Sequence, residues 1–221
     1  MALLAAALAR AAVAGERRLV DEVVAVVESQ TITLSELAAE TRIRLVEQQG
    51  GQVAEAIPDR PLLAASLRRL VEERIVLAEV DRLKLFDLDR SEVESAMARL
   101  KRSLGAPDRW EAFTRSLQLT DEEVAAVLAR EIRVARYLDN RLKLAAQLRD
   151  SELVEALHGR ALPGKAEREA MRQKLAREKY ERLLAELLAD LRKRADVRVL
   201  DPLDGEAEAH AVGSAGGGGY P

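Results

Sequence analysis

The chain has 221 residues, enough for one large domain or two small ones, and its 48% hydrophobic content allows a buried core. Aromatic residues make up only 3%, so that core is aliphatic. The 35 basic and 38 acidic residues are well mixed, which leaves no basic block for nucleic acid, and the lack of cysteine excludes disulfides and thiolate metal sites.

Residues 2–14 are small and apolar, and Ala12-Val13-Ala14 resembles a signal-peptidase site. Arg10 interrupts the run and no basic segment precedes it, so a frayed Ala-rich helix is the competing reading. No apolar run reaches the length that spans a bilayer, so stable membrane insertion is not expected.

Residues 19–37 hold the strongest β-branched run of the chain. Such residues fit a pleated, half-buried surface better than a helix. The pattern predicts a strand over 22–27, a turn over 28–30 and a return strand over 31–33. Thr33 with Glu36 predicts a helix cap. Val197-Arg198-Val199-Leu200 is the other segment of this character. A two-stranded ribbon is marginal in water, so the two ends of the domain are expected to meet in one small sheet.

Helical spacing predicts a first helix over 34–49 with Leu34, Leu37, Ala38, Thr41 and Leu45 on one stripe and Ile43 and Val46 on other faces. Gly50-Gly51 ends it. Pro61 suits the first turn of a second helix reaching about residue 85. That helix is apolar around most of its circumference, which marks a central, packed element. Asp89 with Glu92 opens a third helix, which Gly105 ends. Pro107 starts a fourth, and Thr120 with Glu123 caps a fifth that runs to about residue 148. A short sixth helix follows from Asp150 or Ser151 through His158. The last runs over 165–195, and its apolar face shifts between Met171 and Leu175 at one end and Leu183, Leu187 and Leu191 at the other. The fold expected is mostly α, with a small antiparallel ribbon. Residues 19–201 form the domain, 1–18 a signal remnant or loose N-terminus, and 202–221 a Gly/Ala-rich tail.

Chemistry is sparse. His158 and His210 have no ligand-like neighbours in sequence, so no metal or cofactor is expected. The tract 216–219 lacks the lysine and serine of a phosphate loop, and no serine sits in a Gly-x-Ser-x-Gly elbow. Residues 33–41 look like the first helix of a helix-turn-helix, but that helix runs on to 49 into a Gly/Pro linker with no basic surface beside it. Arg74 and Glu131 are odd charges within apolar stripes. Either both bend out to water, or they pair across two packed helices.

Taken in order, several segments resemble the SurA-like family of periplasmic folding factors. They are Val23-Val24-Ala25-Val26-Val27 with Thr31-Ile32-Thr33-Leu34-Ser35-Glu36-Leu37, then 67–77, 89–100, 119–124, and 180–195 with 197–200. Two departures stand out. The turn Glu28-Ser29-Gln30 lacks the Asn, Asp or Gly often found there. Full-length members insert parvulin-type prolyl isomerase domains before the closing helix, whereas only residues 159–164 lie there in this chain. The resemblance therefore implies a periplasmic chaperone module without isomerase activity. Its clients would be unfolded outer-membrane polypeptides, held on a shallow apolar groove, and a homodimer is compatible with it. Ile43, Val46, Met97, Met171 and Leu175 are the candidate client contacts, and ordinary core packing is the competing account for each. The alternative function is a non-catalytic adaptor of the same fold that binds one folded partner.

Overall fold

The computed structural model describes residues 21–85, 87–156, 164–201 and 203. The expectations for residues 1–18, for the tail beyond 203 and for His158 and His210 fall outside that set. Among the described residues the order is β1 (Val23–Val27), β2 (Gln30–Thr33), α1 (Leu34–Gln49), a single 3-10 turn (Gly51–Val53), α2 (Arg60–Arg82), α3 (Arg90–Leu104), α4 (Pro107–Leu117), α5 (Asp121–Leu142), α6 (Asp150–Ala156), α7 (Lys165–Arg194) and β3 (Val197–Val199). The chain is mostly helical with one small antiparallel sheet.

The sheet has the order β2-β1-β3, and β1 pairs antiparallel with both neighbours. Val26 stands opposite Thr31 on one side and Arg198 on the other. The hairpin turn is tighter than the sequence suggested: it contains Glu28 and Ser29 alone, since Gln30 already pairs with Val27. Glu28 adopts a left-handed φ of 55° without being glycine or asparagine. The return of the chain supports that turn. The Glu28 N–H donates to the Asp196 carbonyl at 2.7 Å, and its carboxylate accepts from the Asp196 N–H at 3.1 Å.

Helix starts follow side-chain caps. Thr33 Oγ1 accepts from the Glu36 N–H, Asp59 from the Leu62 N–H, and Asp89 and Thr120 form full capping boxes with Glu92 and Glu123. Apolar side chains collect in two cores. The first joins Val24, Val27 and Ile32 of the sheet to Leu67, Leu70, Val71, Ile75 and Val80 of α2, Tyr137 of α5 and Leu191 of α7. The second joins Ile43 and Val46 of α1 to Leu100 and Leu104 of α3, Trp110 and Phe113 of α4, and Val124, Val127 and Leu128 of α5. Helix α1 serves both cores, through Leu37 and through Ile43 with Val46, and so buries two faces.

Candidate functional site

Three features outside simple core packing emerge from this arrangement: an ionic layer, a half-covered helix face and an open cleft.

The ionic layer lies where α1, α2 and α5 meet. Glu36, Glu40 and Arg44 recur every fourth residue on α1, so they share one face. Arg74 of α2 donates to Glu36 and, at 3.0 Å, to Glu40. Arg130 of α5 donates to Glu40 as well and stands 3.8 Å from Glu36. Arg44 bridges Glu73 of α2 at 3.0 Å and Glu131 of α5 at 2.6 Å. Arg69 backs Glu73 at 3.2 Å. Arg74 and Glu40 are almost fully buried, and such charges are tolerated only with this degree of pairing.

Neither of the two readings of Arg74 and Glu131 holds, since they do not pair with each other and neither bends out to water. Arg74 turns instead to the two α1 carboxylates, and Glu131 takes Arg44. The signal that reveals the true partners is the i, i+4, i+8 series Glu36-Glu40-Arg44, since charges at that spacing line a single face. Burial pushes Glu131 up from its ordinary 4.5 to about 7; Arg44 opposes the shift, while Glu47, Glu73 and Glu40 add to it. Burial also raises Glu36 and Glu73 against the pull of their arginines.

Two of the five candidate client contacts are corrected. Ile43 and Val46 are fully buried in the second core, because α1 is enclosed on both sides. Met97 is half-buried against that same core. Met171 and Leu175 fare differently. Both are half-buried on α7, together with Ala176, Tyr180, Leu183 and Leu184, and none of these belongs to either core. Helix α7 has 30 residues, about 45 Å of helix, yet Leu191 near its end is its one buried side chain. Helix α6 runs alongside its first half, with Arg172 bonded to Asp150 at 2.6 Å and Lys179 to Glu152 at 2.8 Å and to the Gln147 carbonyl at 3.0 Å. Leu144 and Val154, on the segment leading to α6 and on α6 itself, are exposed.

The cleft lies between α1, the α4–α5 turn and the first half of α5, and has a volume of about 310 Å³. It is bordered by carboxylates of the ionic layer and floored by small and aliphatic side chains.

Among the described residues, no group of three or more His, Asp or Glu side chains is placed to hold a metal ion, and no helix is long and apolar enough to cross a membrane. No family model matches the chain, and no curated protein does either.

Proposed function

We propose that this protein is a non-catalytic periplasmic folding chaperone that holds unfolded outer-membrane polypeptides on apolar surface. The observation that supports this reading most is the apolar surface of α7 over residues 171–184, with Met171 and Leu175 on one side of the helix and Tyr180, Leu183 and Leu184 on the other, which stays half-covered and belongs to neither core. Extended apolar surface edged by charge binds unfolded chains weakly and without a rigid pocket. Methionine at one end suits varied clients because it repacks at low cost. The pairing of β1 with β3 in one sheet, closing a helical body, is the architecture that the SurA-like resemblance implies. The reading includes no prolyl isomerase step, since residues 157–164 between α6 and α7 are too few for a catalytic domain.

The test is suppression of aggregation. The full chain is mixed with several unrelated urea-unfolded outer-membrane β-barrel proteins, and light scattering is followed on dilution. Suppression for all of them is expected. Met171→Asp and Leu175→Asp should weaken it while leaving the melting temperature near wild type, because both side chains are already partly in water. Ile43→Asp, by contrast, should unfold the second core. Absence of suppression, with one folded partner copurifying instead, would assign the adaptor role. Prolyl cis/trans activity above background would overturn the non-catalytic part.

A further inference from the structure

We propose that the cleft between α1 and α5 docks an extended polypeptide segment in which apolar side chains alternate with lysine or arginine. The proposal rests on the chaperone reading and adds a second contact point with its own chemistry.

Size and floor come first. A volume of about 310 Å³ admits a few side chains of an extended strand and no folded element. Ala39 on α1 and Ala126 on α5 are small, and this leaves the gap between the two helices open. Leu117, Leu119 and Val127 supply an aliphatic floor, and Ala126 remains exposed to solvent.

Charge gives the selectivity. Glu36, Glu40 and Glu123 border the cleft, whereas Arg130 is the one cation among its lining residues and is already bonded to Glu40. A further carboxylate neighbours the lining residue Ser35: Asp21 accepts from its N–H at 3.2 Å and from its hydroxyl. Arg74 lies behind, committed to Glu36 and Glu40. Arg74 and Arg130 thus balance Glu36 and Glu40, and the net acidity of the cleft comes from exposed Glu123, with Asp21 beside Ser35. A basic side chain entering the cleft can meet Glu123, and an acidic one is disfavoured.

Gln118 adds a polar side chain at the border of the cleft. It closes α4 with a left-handed φ of 57°, a conformation that favours glycine. The residue is exposed at the cleft, where its amide offers one acceptor and two donor hydrogens to a passing peptide backbone.

The experiment titrates the full chain into a short labelled peptide of alternating leucine and lysine, and into its leucine–glutamate counterpart, by fluorescence anisotropy. The lysine peptide should bind at least about tenfold more tightly. Ala126→Arg fills the cleft and adds a positive charge at an exposed position, so it should lower that affinity about tenfold or more with the melting temperature unchanged. Gln118→Gly should lower it about threefold to fivefold, the worth of a neutral hydrogen bond, while the protein becomes no less stable. Equal binding of both peptides, or indifference to Ala126→Arg, would overturn the proposal. So would a dimer in sedimentation that dissociates on Ala126→Arg, since the cleft would then belong to a second copy. The two readings fail separately. Loss of peptide selectivity with aggregation suppression intact removes this site alone. Selective binding without suppression keeps the cleft and removes the holdase.

Discussion

Glu131 and Glu73 share the guanidinium of Arg44, and Glu73 also has Arg69. Burial and the neighbouring carboxylates Glu47, Glu73 and Glu40 outweigh Arg44 at Glu131. Its folded-state value of about 7 exceeds the ordinary 4.5, so the folded protein binds more protons than the unfolded chain between those pH values. The stability this confers is fully present below about pH 4.5 and is lost as pH rises through about 7. Glu36 and Glu73 shift in the same direction. The capping carboxylates Asp89 and Glu123 are held low by their hydrogen bonds and give stability that is lost on acidification instead, in a more acidic range. Urea unfolding should therefore show a stability decline on the order of 2 kcal/mol from pH 5.5 to pH 8, given that the Glu131 side chain is 20% exposed. Glu131→Gln should abolish most of that decline. An unchanged slope in the variant would mean that another group carries it. The sequence revealed that Arg74 and Glu131 were out of place in apolar stripes. It did not reveal their partners, because pairing across helices depends on which faces meet, and the charged face of α1 lies beside its apolar stripe.

Among the elements, starts were more legible than ends. Asp89, Thr120, Thr33 and Pro107 begin helices by local chemistry, and each acts where the sequence places it. The end of α5 at Leu142, rather than near 148, has no glycine or proline to announce it. There the chain turns so that Leu142 and Ala146 are buried, and the Gln147 carbonyl reaches Lys179 on α7. That is a tertiary demand, invisible to local pattern. The pair Gly50-Gly51 signals a helix stop, and its second member also permits close packing. A Cβ at Gly51 would stand 2.8 Å from the Leu104 carbonyl oxygen and 3.0 Å from its Cα, both backbone atoms. The 3-10 turn therefore rests directly on the C-terminal end of α3. Gly51→Ala must push α3 away from α1 and should cost about 1–3 kcal/mol, the usual range for overpacking, measurable as a lower urea midpoint with an unchanged m-value. Gly105→Ala tests a different constraint, because its Cβ would meet nothing within 4 Å and its penalty comes from the left-handed φ of 93°.

At the scale of the molecule, the joining of β1 and β3 was legible because β-branched runs are so rare in this chain that strands had few candidate positions. What the sequence did not disclose is the division of the interior into two cores with an ionic layer at the meeting of α1, α2 and α5. Amphipathic patterns say that a face is buried, not which of two cores receives it, and Ile43 and Val46 were misplaced for that reason. The closure itself can be tested by the alternation of hydrogen bonds in an antiparallel pair. Asp196 and Leu200 bond inward, the first accepting from the Glu28 N–H and the second donating to the Val24 carbonyl at 2.8 Å. Arg198, opposite Val26, continues that bonded set, while Val199 opposite Ala25 turns its N–H to the outer edge. Proline removes an N–H, so it is costly at a bonded position and tolerated on an open edge. Arg198→Pro should therefore lower stability by roughly 2–3 kcal/mol more than Val199→Pro in urea unfolding, even though Arg198 is the more polar and more exposed position. Equal penalties at the two positions would mean that the closing strand does not pair with β1 in this register, and the helical body would lose the clasp that holds its two ends together.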